Sequence, residues 1–354
     1  GVLFSANIGL LMIVGGLLGM VLYHAAFGFT AAWRGFITER RGRGLRAQMV
    51  MLAIAVVLFF PALGAGSLFG TEVRRFLSPI GISVLVGAFI FGVGMQLGGG
   101  CASGTLFTAG GGNARMLITL VFFIVGSVIG TAHFAWWQSL PAFQPVSLVN
   151  VAGVGGGIGI SLVLFAAIAV LTVIMEKRRH GHLEQAPMVD KPGAERWLSG
   201  PWPLVAGAVA LALLNFATLA LAGRPWGITS AFALWGAKSF ELVGGDVSQW
   251  GYWQAPGNAA ALEASVWGDI TTVMNVGIML GALAAANLAG RFAPNFRIPL
   301  KSVLAAVIGG IMLGYGARLA FGCNIGAYFS GIASGSLHGW VWMAAAIAGN
   351  MAGV

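Results

Sequence analysis

Cys101 and Cys323 carry the only thiols in this 354-residue chain, and each stands directly after a glycine. They lie in a repeat. Residues 92–108 read GVGMQLGGGCASGTLFT, and residues 314–330 read GYGARLAFGCNIGAYFS. Laid over each other without a gap, at an offset of 222 residues, they match at Gly92/Gly314, Gly94/Gly316, Leu97/Leu319, Gly100/Gly322, Cys101/Cys323, Gly104/Gly326 and Phe107/Phe329. Thr108/Ser330 is a conservative match. A neutral thiol is a weak donor and a soft, polarizable contact. It suits a sulfur-containing anion better than a hard oxyanion. A lone buried cysteine is more often a small apolar filler, but two at equivalent repeat positions argue for a shared task.

Other residues join these two. Asn324, next to Cys323, is placed to donate to a substrate oxygen or to cap a helix that starts there. Arg318, five residues ahead of Cys323, puts a charge at membrane depth, where charges are expensive and mostly functional. It would attract an anion, unless an ion pair or a snorkel to the interface claims it. A weaker repeat sets Phe27-Gly28-Phe29-Thr30-Ala31-Ala32 against Trp226-Gly227-Ile228-Thr229-Ser230-Ala231. It adds Gly28, Thr30, Gly227 and Thr229 to the candidates, with helix capping as the alternative role for the threonines.

The elements that hold these residues are membrane helices. The chain is 58% hydrophobic and only 8% charged, against about 25% charged in a soluble domain. Apolar runs of about 20 residues, enough to cross a bilayer core, recur along its length. The expected fold is an all-α polytopic membrane protein in contact with lipid. The net charge of +9 sits in loops, which fits the positive-inside rule better than nucleic-acid binding. Two cysteines make no disulfide framework or zinc site. No phosphate-binding loop is present, so neither ATP drive nor a cofactor is expected. The sequence opens on Gly1 and stops within an apolar run, so trimming at both ends is expected.

In chain order, spanning helices are predicted at about 4–27, 47–68, 80–97, 116–137, 151–175, 203–222, 270–288, 302–320 and from 337. Short helices are predicted at 29–36, 102–109, 228–238 and 324–332, each after a glycine break. That is about nine spanning helices and four short ones. Residues 177–199 form a soluble linker, so residues 1–354 read as one transporter domain with pseudo-repeat halves 1–176 and 200–354. The basic loops at 39–46, 177–196 and 291–301 face the cytoplasm under the positive-inside rule. The two Gly-Cys helices then run in opposite directions. An inverted-topology repeat with broken helices near the midplane is a transporter signature. Arg74-Arg75 falls on the outer side, against that rule.

The pattern Gly-x-Gly-x-x-Leu-x-x-Gly-Cys-x-x-Gly between a long and a short helix resembles the YeeE/YedE family of bacterial inner-membrane sulfur-compound transporters. Arg224-Pro225-Trp226-Gly227-Ile228-Thr229 and Ala233-Leu234-Trp235-Gly236-Ala237-Lys238 extend the resemblance over nearly the whole chain. The resemblance implies an hourglass-shaped protein, not an enzyme, that takes up thiosulfate or a related sulfur species. It implies cysteines along a central path that pass the substrate by S–H to sulfur hydrogen bonds, and a cytoplasmic sulfur-carrier protein as recipient. Cys101 and Cys323 match two of those cysteines. The thiosulfate-transporting pattern has another after Phe at the end of helix 1; here Gly28 follows Phe27. That departure leaves another sulfur or selenium compound open as cargo. Rival readings are a membrane thiol oxidoreductase, an accessory subunit, and a metal or general anion channel. The first needs two thiols that meet, and there is no Cys-x-x-Cys.

Overall fold

Apolar runs broken by glycine fold into long helices that each deliver a short one. The computed structural model describes residues 6–186 and 193–354. The expected start of the first helix at residue 4, and residues 187–192 of the linker, lie outside them. α1 (Ala6–His24) breaks into α2 (Phe29–Glu39). After α3 (Arg43–Ala65), α4 (Ile82–Gly98) breaks into α5 (Ala102–Gly110). Then come α6 (Ala114–Gln138), α7 (Leu148–His180) and the short α8 (Gly193–Ser199). The pattern returns with α9 (Leu204–Ala222) and α10 (Thr229–Leu242). Two small helices, α11 (Gly251–Gln254) and α12 (Pro256–Glu263), lead to α13 (Ile270–Leu288). α14 (Leu300–Leu319) breaks into a π-helical segment, Asn324–Ser330, followed by α15 (Gly331–Ala333) and α16 (Leu337–Gly353).

Eight stretches among the described residues are long and apolar enough to cross a bilayer, with α1–α2 and α4–α5 each taken as one. α16 has 17 residues, about 26 Å at the helical rise, and runs beside α4 in the same direction through Gly92, Gly349 and Gly353. The chain is therefore a polytopic all-α membrane protein.

The packing repeats under exchange of early and late elements. α1 lies along α13, and α9 along α3; α14 lies along α6, and α4 along α16. α4 also packs on α14, and α1 on α9. Direction follows from the contacts. Ser83, at the start of α4, donates to Leu319 O at the end of α14, while Gly98, at the end of α4, abuts Gly309 in the first half of α14. The two Gly-Cys helices are antiparallel. Such close approach needs glycine: a Cβ on Gly309 would collide with the Gly98 backbone. α7 instead exposes apolar residues such as Val151 and Val163, as a lipid-facing helix does.

Two expectations need correction. α7 runs on to His180, so residues 177–180 are its last turn rather than linker. The cause is Glu176, fully buried, whose carboxylate accepts from Arg46 Nη1 (2.7 Å), Arg41 Nη1 (3.5 Å), Gly42 N (3.1 Å) and Glu184 N (2.7 Å). α3 likewise starts at Arg43, inside the stretch expected to be a basic loop. Glu176 ties that turn to the end of α7.

Candidate functional site

Both thiols sit at a helix break. α4 stops where Gly99 turns left-handed at φ +81°, Gly100 follows, and Cys101, in extended conformation, starts α5. α14 stops in the same way. Phe321 takes φ +59° and Gly322 φ +152°, and Cys323, extended, starts the π-helical segment. A Cβ on Gly322 would press on the Ala327 amide, so this return requires glycine.

Each sulfur stands at the start of its own short helix: Cys101 Sγ lies 3.6 Å from where a Cβ on Gly104 would sit, and Cys323 Sγ caps the π-helical segment. Ile325 N donates to Cys323 Sγ at 3.4 Å. Cys101 Sγ shares a hydrogen bond with Ser103 Oγ at 3.3 Å. Both cysteines are free thiols and buried. They lie in one core with Phe29, Trp33, Phe91, Tyr328 and Trp342, and α5 packs against the π-helical segment. The positive end of a helix dipole favours anions, and a thiol there offers a soft donor.

A cavity of about 490 Å³ opens at the end of the molecule opposite the basic loops, and Arg74, Arg75, Arg224 and Arg318 line it. Gly227, Thr229, Gly322 and Gly326 belong to the same wall. Arg318 neither snorkels nor pairs with an acid among the described residues. It is 7% exposed, donates to Thr229 Oγ1 at 2.7 Å and Tyr252 Oη at 2.8 Å, and lies 5.7 Å from the Tyr252 ring centre. With no carboxylate to neutralise it, its charge is directed at the cavity. Arg224 is only loosely offset by Asp269, at 3.9 Å.

At the basic-loop end a second cavity, also about 490 Å³, is lined by Arg43, Arg46, Arg196 and Trp202. It shares Ala26 and Leu204 with a smaller recess that reaches Gly28 and Gln48. Gln48 Oε1 accepts from Trp33 Nε1 at 2.9 Å and from Tyr328 Oη at 3.4 Å. The inner recess therefore backs onto the helix that carries Cys323.

The sequence candidates fall into three places. Arg318, Thr229, Gly227, Gly322 and Gly326 line the first cavity, and Gly28 lines the inner recess. Cys101, Cys323, Gly100, Gly104 and Asn324 are buried and line neither cavity nor the recess. Thr30 is buried beside the recess, its hydroxyl without a protein partner. Asn324 does not cap its helix; the Cys323 sulfur takes that N–H. Sequence reasoning missed Arg74, Arg75, Arg224, Tyr252 and Ser103 as site residues. The signal was there for the arginines, which stand in loops that the positive-inside rule leaves outside.

The family model described as sulphur transport matches residues 24–352. The chain is 28% identical to the thiosulfate transporter TsuA of Spirochaeta thermophila over 360 residues, 96% of each chain. It is 24% identical to TsuA of Escherichia coli, over 96% of this chain and 91% of that one. Identity to the probable transporter YedE of Escherichia coli is 34%, over 44% of this chain and 38% of YedE. The match to YedE thus spans well under half of that relative's length. On the match that runs almost from end to end, the chain belongs to the sulphur-transport family.

Proposed function

We propose that this protein carries a sulfur-containing anion, with thiosulfate the leading candidate, into the cytoplasm across the bacterial inner membrane. The observation that carries this reading is the wall of the four-arginine cavity: Gly322 and Gly326, which stand on either side of Cys323 in the chain, line it, and Cys323 itself is fully buried. In this reading an anion drawn in by charge is passed on to a soft donor. The arginines raise the local anion concentration. The thiols of Cys323 and then Cys101 replace part of the hydration shell by transient S–H hydrogen bonds. The residues 1–176 and 200–354 act as inverted halves around these two breaks. The cavity with Arg43, Arg46 and Arg196 is the exit, where a sulfur-carrier protein receives the cargo.

The likeness to the two thiosulfate transporters TsuA supports thiosulfate. Gly28, in place of a further cysteine, keeps another sulfur or selenium compound as a second reading. Transport rather than catalysis is the activity proposed.

The test is uptake of labelled thiosulfate, sulfite, sulfate and selenite by cells lacking other sulfur importers. Cys101→Ala and Cys323→Ala should each abolish thiosulfate uptake with the protein still assembled. The serine variants should transport poorly, because Ser keeps a donor but loses softness. Uptake at the parent rate in both alanine variants sinks the thiol pathway.

A further inference from the structure

Four asparagines are fully buried: Asn215, Asn275, Asn324 and Asn350. Three are held by the protein. Asn215 accepts from Trp226 N and donates to Ser330 Oγ. Asn275 donates to Ile228 O. Asn350 donates to Ala346 O and accepts from Gln96 Nε2. Asn324 alone among them has no protein partner for either amide atom. Burying a carboxamide in this way forfeits its hydration with nothing in return.

The fold does not require that amide. The equivalent position in the other repeat is Ala102, and α5 forms there without a polar side chain. The start of the π-helical segment is already served by the Cys323 sulfur. Asn324 directly follows Cys323 and stands between Gly322 and Gly326, both on the cavity wall. A π-helical segment also commonly marks a functional site.

We infer that Asn324 is a specificity-determining residue for the anion, an inference that rests on the thiol-pathway reading. Its Nδ2 hydrogens donate to an oxygen of the anion while the Cys323 S–H donates to its terminal sulfur. The pair reads an anion with two unlike ends, one soft and one hard. A sulfur-substituted sulfonate, S–SO3, satisfies both. Sulfate and phosphate offer oxygens but no soft end, and hydrosulfide offers a soft end but no oxygen. An uncharged amide also suits a way station. It adds a hydrogen bond without a charge that would trap the anion, and conduction needs binding weak enough to leave.

The experiment measures labelled thiosulfate uptake into proteoliposomes, and the unfolding temperature of the same purified protein. Asn324→Ala is expected to raise the KM for thiosulfate at least ten-fold with the unfolding temperature unchanged or higher. Removing an unpartnered buried amide relieves the fold while it disables the site. Asn324→Asp should take uptake below a tenth, because its carboxylate only accepts and repels the anion. Uptake within two-fold of the parent in either variant overturns the inference. So does loss of uptake with a falling unfolding temperature in both Asn324→Ala and Asn324→Ser, which makes the amide structural. Cys323→Ala, run in parallel, separates the two readings. Parent-rate uptake there with failing Asn324 variants sinks the thiol pathway and keeps the amide site.

Discussion

Gly99 and Phe321 hold the same left-handed turn, at φ +81° and +59°, in equivalent positions of the two Gly-Cys repeats. The turn ends α4 and α14 and aims each following short helix back into the core. Glycine adopts it freely. Phenylalanine does so against its Cβ, at about 1–2 kcal/mol. Its ring packs edge-on against Phe134 and His338, and His338 Nε2 in turn lies 3.0 Å from Ala320 O. Packing therefore holds in one repeat what glycine supplies in the other.

A reversal of the usual helix preference at position 321 follows. Phe321→Ala loses the ring and keeps the strained φ; Phe321→Gly loses both. Phe321→Gly should be the more stable of the two by about 1 kcal/mol, read as a higher unfolding temperature in detergent. An alanine variant as stable as the glycine variant would show that the turn is not maintained.

The broken helices were legible because their cause is local. Glycine at a break and an apolar run on either side are both written in the sequence, and the 222-residue repeat sets one break on the other. The helical register after the second break was not legible. Residues 102–110 are α-helical and residues 324–330 are π-helical, though they align without a gap. The difference lies in distant partners. Ser330 donates to Trp226 O at 2.6 Å and accepts from Asn215, and Tyr328 stacks on Trp342. The arginine cavity was hidden for a similar reason. Arg74, Arg75, Arg224 and Arg318 come from three separate stretches of chain. Arg74-Arg75, which ran against the positive-inside rule, finds its explanation only when Arg74 N meets Gly223 O and draws the pair beside Arg224.

Arg318 tests whether that cavity works through charge or through shape. Its two hydroxyl partners, Thr229 and Tyr252, are both neutral, so Arg318→Ala leaves no unpaired acid behind and should still assemble. Uptake should weaken about ten-fold, as a rise in KM that shrinks at high salt. Arg318→Lys keeps the charge but not the planar fork that reaches both hydroxyls, so it should fall between the two. Equal kinetics for the lysine and alanine variants would exclude a role for charge.

Gly28→Cys is the sharpest change available at the inner end. Gly28 precedes α2 with φ −102° and ψ 117°, a conformation that any residue adopts. A Cβ there would have Ala31 Cβ at 3.6 Å and Ala26 O at 4.0 Å as its nearest neighbours, which is ordinary contact. Stability should therefore change by less than about 0.5 kcal/mol. The new thiol would line the recess with Gln48, next to the cavity at the basic-loop end. With Cys101 and Cys323 both replaced by Ala, it should react with a membrane-impermeant maleimide from the cytoplasmic face only. With both present, it adds a third soft donor along the line from Cys323, and thiosulfate uptake should rise at subsaturating substrate. Gly227→Cys is the control. An added Cβ there has nothing within 4 Å, and the site opens on the arginine cavity, so its labelling should come from outside. A Gly28→Cys thiol that labels from outside reverses the direction assigned to the pathway. One that labels from inside and leaves uptake unchanged limits the relay to the two thiols already present.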